Sequence, residues 1–233
     1  MNNQRKPPII LFDLDGTLVD SFADIHAALS SGLLELGFPT HDLAAVTGMI
    51  GHGMRNLVEK ALPPEHTREQ EDALIESTLR HYRKNPCQRT VPFPGMVKLL
   101  QKIHPKATLG IFSNKPHQLT LQVAEGCKLT HLMQHIQGQR EGIAIKPDPE
   151  GLWSFIPKSE AQRVLLVGDG EADAQLSANA AIRFIGVAWG TSPTALLQPY
   201  GPVAETMAEL ELLIDCALHN YNENGNFQSA AAE

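Results

Sequence analysis

The stretch Ile9-Ile10-Leu11-Phe12-Asp13-Leu14-Asp15-Gly16-Thr17-Leu18-Val19-Asp20-Ser21 decides how this chain is read. Four apolar residues lead into two carboxylates one residue apart. A short apolar run that ends near a glycine has the pattern of a buried parallel strand. Strand side chains alternate between faces, so Asp13 and Asp15 emerge together at its carboxyl end. Open α/β sheets bind ligands at that end. Gly16 lets the backbone turn where a side chain would obstruct it. Two carboxylates this close repel unless a cation lies between them or one holds a proton. Mg²⁺ suits the place, because it prefers hard oxygen ligands and binds through few carboxylates plus a phosphate. A bare Asp-x-Asp is equally an ordinary strand-to-loop turn.

Outward from this stretch, Phe22, Ile25, Leu29, Leu33 and Leu36 recur at three- and four-residue steps, one apolar helix face that Gly37 can stop. A short helical run follows over Leu43 to Val46, then a glycine-rich turn, Gly48 to Gly53. Met54 to Leu62 reads as a helix ended by Pro63-Pro64, and Thr67 with Gln70 fits a capping box for a helix reaching Lys84. Nothing between Phe22 and Cys87 reads as a strand. From Pro94 the pattern changes. Apolar strands at Ala107 to Phe112, Ile136 to Gln139, Val164 to Val167 and Phe184 to Ala188 alternate with helices of about ten residues. That alternation implies an α/β fold, a Rossmann-like parallel sheet with right-handed crossovers. Thr206 with Glu209 is a second capping box, opening a terminal helix. The domain division expected is an α/β core from residues 1–21 and 88–219, an all-helical insertion over 22–87, and a disordered tail over 220–233, which is rich in Asn, Ser and Ala.

With 233 residues, 42% of them apolar, the chain can bury a full core. Its net charge of −7 comes without any block of Lys or Arg, so it carries no nucleic-acid footprint. No apolar run is long enough to span a membrane, and Met1 to Pro8 lacks an apolar signal region. Cys87, Cys127 and Cys216 are odd in number and far apart in sequence, suggesting neither a disulfide framework nor a zinc site. Reduced thiols in a cytoplasmic protein are the expectation.

Three more clusters stand at strand ends. In Ile111-Phe112-Ser113-Asn114-Lys115, the Ser113 hydroxyl follows an apolar strand and can donate to a phosphate oxygen; a Ser-Asn turn or helix cap fits the same residues. In Ile145-Lys146-Pro147-Asp148-Pro149, Lys146 offers a cation near the carboxylates, although a lone Lys is usually a solvated surface charge. In Val167-Gly168-Asp169-Gly170-Glu171-Ala172-Asp173, Asp169 ends the most apolar strand and Asp173 lies four residues on; capping of the next helix is the competing reading.

Taken in order, the Asp13 string and these clusters resemble motifs I to IV of the haloacid dehalogenase superfamily of phosphatases. Thr47-Gly48-Met49-Ile50-Gly51-His52-Gly53, Pro92-Phe93-Pro94-Gly95 and Ser113-Asn114-Lys115-Pro116 resemble its phosphoglycolate phosphatase-like branch, in which a helical cap is inserted after motif I. Gly170 departs from the Ser or Thr often found there, and Pro202 to Glu205 depart from the family's last strand. The resemblance implies a Mg²⁺-dependent phosphatase for a small phosphate monoester such as 2-phosphoglycolate. It implies Asp13 as nucleophile, forming an aspartyl phosphate, and Asp15 as general acid and base. Ser113 and Lys146 would bind phosphoryl oxygens, and Lys146 would orient Asp13. Mg²⁺ would be held by Asp13, the Asp15 backbone carbonyl and Asp169. Thr17, Asn114 and Asp173 would support these groups: Thr17 beside Asp15, Asp173 through Lys146 or a metal-bound water. In the cap, Arg55 would pair with a substrate carboxylate, with His52 near it; a solvated helix arginine is the alternative. A phosphomutase of the same superfamily (β-phosphoglucomutase-like) and a non-catalytic phosphate-binding regulatory protein are the competing functions. The expected partner is a small phosphorylated metabolite, with no nucleic acid and no membrane.

Overall fold

A computed structural model describes residues 6–227. Ile9–Phe12 (β1) is four consecutive buried apolar residues, and after a tight turn Val19–Asp20 forms β2. Four helices follow, Phe22–Glu35 (α1), Leu43–Thr47 (α2), Gly53–Ala61 (α3) and Arg68–Lys84 (α4). Val91–Pro92 (β3) then pairs antiparallel with β2. The chain continues as Met96–Ile103 (α5), Thr108–Pro116 (β4), His117–Gly126 (α6), His135–Gln139 (β5), Glu150–Trp153 (α7), Val164–Gly168 (β6), Glu171–Asn179 (α8), Arg183–Val187 (β7), Thr194–Leu197 (α9), Val203–Ala204 (β8) and Met207–Asn224 (α10).

Six strands form one parallel sheet in the order β5-β4-β1-β6-β7-β8. From β1 the chain builds outward to β4 and β5 on one side, then crosses back to β6, β7 and β8 on the other. The strand order therefore reverses beside β1, and the carboxyl ends of β1, β4 and β6 face one crevice. Alternation along β1 divides the core. Ile10 and Phe12 pack with Leu109, Ile111, Leu165 and Val167 under α5, α6 and α10. Ile9 and Leu11 pack on the opposite face with Val164 and Leu166 under α7 and α8. The helices α1 to α4 enclose their own cluster, built on Ile25, Leu29, Leu33, Val58 and Leu74, into which the sheet-flanking helix α6 inserts Leu119.

Local signals behave as the sequence suggests at several joints. Thr67 and Gln70 exchange both bonds of the capping box. At α10 the box is partial: Thr206 Oγ1 accepts from the Glu209 N–H, but the Glu209 carboxylate reaches the Glu205 N–H instead. The expected tail from Asn220 is corrected. α10 continues through Asn224 because Tyr221 is buried, and Gly225 ends the helix in the left-handed region. Tyr221 stacks against the buried Phe227 at 4.9 Å between ring centroids. Residues 228–233 of that expected tail lie outside the described residues. β4 is also longer than the apolar run implied, because its pairing with β5 resumes at Pro116–Gln139, so Ser113, Asn114 and Lys115 lie within the strand. The β2–β3 ribbon, where the helical segment leaves and rejoins the sheet, carries no periodicity that would announce it; two residues are too few to show one. Among the three thiols, Cys87 and Cys127, forty residues apart, meet at 3.5 Å between Sγ atoms, while Cys216 is exposed.

Candidate active site

The crevice at the switch point gathers the strand-end carboxylates. Asp13 follows β1, Asp169 follows β6 and Asp173 lies in the first turn of α8, and one carboxylate oxygen from each lies within 4.8 Å of the others. Two glycines permit this crowding. Gly16 has φ of +83°, and a Cβ there would fall 2.5 Å from Asp169 Oδ2; a Cβ on Gly190 would fall 2.1 Å from the same oxygen. Asp169 is held from two sides. Its Oδ1 accepts from Thr17 Oγ1 at 2.6 Å, and its Oδ2 accepts from the N–H and hydroxyl of Thr191 at 2.8 and 2.9 Å. Thr17 thus supports Asp169, not Asp15 as expected, because the turn after Gly16 folds back toward β6.

Lys146 is nearly fully buried, 2% exposed. Its Nζ donates to Asp173 Oδ1 at 2.6 Å and to the Phe112 carbonyl at 2.9 Å. It also stands 3.0 Å from Asp13 Oδ1, an ion-pair distance. Apart from this ion pair, that buried oxygen of Asp13 has no hydrogen-bond partner among the described residues. Asn114 sets Lys146 from behind: its Oδ1 accepts from the Lys146 N–H, and its Nδ2 donates to the Lys146 carbonyl. The same Nδ2 donates to the Gly51 carbonyl, tying the glycine loop before α3 to the sheet. Ser113 Oγ accepts from the Lys115 N–H at 3.3 Å, which leaves its own proton to donate into the cavity it lines.

Asp15 is held by groups that sequence reasoning did not single out. Ser21 Oγ donates to its Oδ1 at 2.5 Å, and Lys115 Nζ donates to both its oxygens at 2.9 and 3.0 Å. Lys115 also donates to the Tyr82 hydroxyl at 2.6 Å and lies 4.4 Å from the centre of the Tyr82 ring. Burial alone would lower the Lys115 pKa, but the charge of Asp15 and the Tyr82 oxygen raise it above the usual lysine value. Lys115 follows Ser113 and Asn114 in an ordinary polar triplet, and Tyr82 reads from sequence as one more apolar-face residue of α4. Thr191 had a faint signal: it stands in a Gly-Thr-Ser turn just beyond the apolar strand β7.

The two cap residues fare differently from expectation. Arg55 does not reach the cavity. Its guanidinium is exposed and paired with Glu71 and Asp72 at the start of α4, at 2.8 and 2.7 Å. Position 55 lies on the outer side of α3, and the acidic first turn of α4 captures it. His52 sits in the glycine loop whose neighbours Gly51 and Gly53 line the cavity, but His52 itself is not a lining residue.

Four carboxylates (Asp13, Asp15, Asp169 and Asp173) thus face two ammonium groups (Lys115 and Lys146). Burial, then the charge of Asp13, raises Asp169 to about 6. Burial, then the charges of Asp13 and Asp169, raises Asp173 to about 7 against the pull of Lys146. That is how buried carboxylates respond when too few cations stand among them. The all-oxygen donor set and the surplus negative charge both fit a hard divalent cation.

Residues 10–187 match the family model described as haloacid dehalogenase-like hydrolase. The chain belongs to the haloacid dehalogenase-like hydrolase family. It is 33% identical over 183 residues to a phosphoglycolate phosphatase of Cereibacter sphaeroides, covering 76% of this chain and 83% of that one. It is likewise 33% identical over 185 residues to a phosphoglycolate phosphatase of Aquifex aeolicus, covering 78% and 85%. Among solved structures, a predicted phosphoglycolate phosphatase from Haemophilus somnus superposes with a TM-score of 0.80 at 23% identity, covering 88% of this chain and 97% of that one. A predicted phosphatase from Clostridium acetobutylicum does so at 0.80 with 20% identity, covering 89% and 98%. At these identities the structural likeness speaks for the fold alone. No helix among the described residues is long and apolar enough to cross a membrane.

Proposed function

We propose that this haloacid dehalogenase-like hydrolase is a Mg²⁺-dependent phosphatase acting on a small phosphate monoester, 2-phosphoglycolate first among the candidates, through an aspartyl phosphate on Asp13. The observation that carries this reading is the Asp13 carboxylate: it lines the cavity, and its buried Oδ1 is paired with the Lys146 ammonium at 3.0 Å. With Oδ1 turned inward against the ammonium, the carboxylate keeps its other oxygen for phosphorus. In the first step Asp13 bonds to phosphorus as the ester oxygen leaves, and Asp15 gives that oxygen a proton. In the second step Asp15 takes a proton from the attacking water, and phosphate leaves Asp13. Ser113 binds a phosphoryl oxygen throughout, and the Lys146 ammonium, behind the lining and fixed by Asp173 and Asn114, draws the phosphoryl group in by its charge.

Mg²⁺ would be held by Asp13, Asp169 and the Asp15 carbonyl, with Asp173 beside them. When bound, it neutralises the charge that otherwise repels an anionic ester. The helices α1 to α4 serve as a cap that excludes bulk water. The apolar wall of Ile25, Met54 and Leu57 offers no partners to the hydroxyls of the sugar that a phosphomutase must hold, which supports a short leaving group. The relatives named phosphoglycolate phosphatase support the same choice. The reading makes the partner a small phosphorylated metabolite of the cytoplasm. Phosphate release from a panel of small esters, with Mg²⁺ and after chelation, tests it. No release from any ester overturns the phosphatase; undiminished release after chelation removes the metal.

A further inference from the structure

The expected partner of a substrate carboxylate, Arg55, is held on the outside by Glu71 and Asp72. The cavity nevertheless has a cation. Among the described residues that line it, Lys115 is the one with a positive charge. It is only 6% exposed, and its ammonium sits between Asp15 from the sheet side and the Tyr82 hydroxyl from α4. The rest of the helical wall facing it is apolar, made by Ile25, Ile50, Met54 and Leu57.

We propose that Lys115, together with the Tyr82 hydroxyl, is the seat for a carboxylate on the leaving group, and so selects phosphate esters of short hydroxy acids over those of plain alcohols. The inference rests on the phosphatase reading and names its substrate class. The geometry follows from the position of Asp15. An ester oxygen within reach of the Asp15 carboxylate puts the next atoms of the leaving group against Lys115 and Tyr82. A carboxylate two bonds beyond that oxygen must be paired there, because the apolar wall offers it nothing and an unpaired buried charge is costly. It takes the place of Asp15 on the ammonium, and Asp15 is then free to face the ester oxygen. A charge-assisted bond of this kind is strong and directional. Since Lys115 belongs to β4 and Tyr82 to α4, one carboxylate would also bridge the sheet and the helical segment.

The test compares 2-phosphoglycolate with ethyl phosphate, which keeps the phosphoryl group and ester oxygen but has a methyl where the carboxylate stood. Values of kcat and KM are measured for the wild-type protein, Lys115→Met and Tyr82→Phe, with para-nitrophenyl phosphate as a third ester. The wild-type protein should favour 2-phosphoglycolate by roughly 10²-fold or more in kcat/KM, since a site built for a polar group rejects the analogue lacking it. Lys115→Met should shrink that preference to within about threefold, mainly through a higher KM for 2-phosphoglycolate. It can slow all three esters through Asp15, so the ratio is the readout. Tyr82→Phe keeps the ring and should cut the preference by a smaller factor. Calorimetric binding of the two alkyl esters to Asp13→Asn, with and without Lys115→Met, makes the same comparison without turnover. A preference or affinity difference absent from the wild-type background, or unchanged when Lys115 is replaced, overturns the seat. Absent hydrolysis with the binding difference intact would instead overturn the phosphatase and leave the seat standing.

Discussion

Without a divalent cation, the stability of this protein should fall as pH rises, and the buried aspartates set the size of the fall. In an unfolded chain Asp169 and Asp173 titrate near 3.9. In the fold, burial and neighbouring negative charge raise them to about 6 and about 7. Between roughly pH 4 and 7 the folded state therefore holds more protons than the unfolded state, and linkage makes stability decrease through that window. One pKa unit corresponds to about 1.4 kcal/mol, so Asp169 alone implies a loss of about 3 kcal/mol by pH 8. Asp173 acts in the same sense; the two share Asp13 as a neighbour and titrate together, giving a total on the order of 5 kcal/mol. Lys146 keeps its proton in both states across this range and adds no slope. For a domain of this size each kcal/mol moves Tm by about 2–4 °C, and about 3 kcal/mol of that total falls between pH 5 and pH 8, so Tm should drop by about 6–12 °C over that range in chelator. Saturating Mg²⁺ should flatten the curve, because it stabilises the ionised carboxylates. Scanning calorimetry at several pH values, with chelator and with Mg²⁺, reads this directly. His66 is also raised, by the Pro63 carbonyl and then Glu71, and loses stability in the same direction as pH rises. It does not line the cavity, so it contributes equally to both curves. Parallel curves with and without Mg²⁺ would refute the reasoning.

Other outcomes follow from the same geometry. Asp13→Asn should abolish turnover and leave the fold intact, as circular dichroism and a phosphate assay would show; wild-type turnover would remove Asp13 as nucleophile. Asp15→Asn should slow alkyl esters by roughly 10²- to 10⁴-fold and aryl esters less in single-turnover measurements, because a good leaving group needs little protonation. Equal losses for both would sink its role as acid. Gly190→Ala puts a Cβ into Asp169 and should weaken Mg²⁺ binding measured by calorimetry; unchanged affinity would show that Asp169 is no ligand. Asp24→Ala should cost about 3 kcal/mol in denaturant unfolding, since the buried carboxylate accepts from the Arg89 and Thr90 N–H groups and the Thr90 hydroxyl, all left unpaired by the change. A loss below about 0.5 kcal/mol would mean that this joint between α1 and β3 contributes nothing.

What could be read along the chain was whatever depends on near neighbours. The apolar run Ile9–Phe12, the alternation of strands and helices from Pro94, the Thr67–Gln70 cap and the carboxylates at strand ends are all local patterns. They sufficed to bring Asp13 and Asp169 to one crevice, and the resemblance then added Ser113 and Lys146. The family resemblance added the roles. The tertiary structure decided the pairings between distant segments. Lys115 meets Tyr82 and Asp15 across 33 and 100 residues. Thr17 meets Asp169 across 152 residues, although the sequence pointed it toward its neighbour Asp15. Arg55 is drawn away from the cavity by two acids that lie sixteen and seventeen residues on. Asn220 to Asn224 stay helical because Tyr221 finds Phe227 and a buried seat beneath the sheet. Periodicity records which face a residue takes on its own element. It carries no information on which charge, hydroxyl or ring the packing of another element will bring to meet it, and those meetings determine what the site can hold.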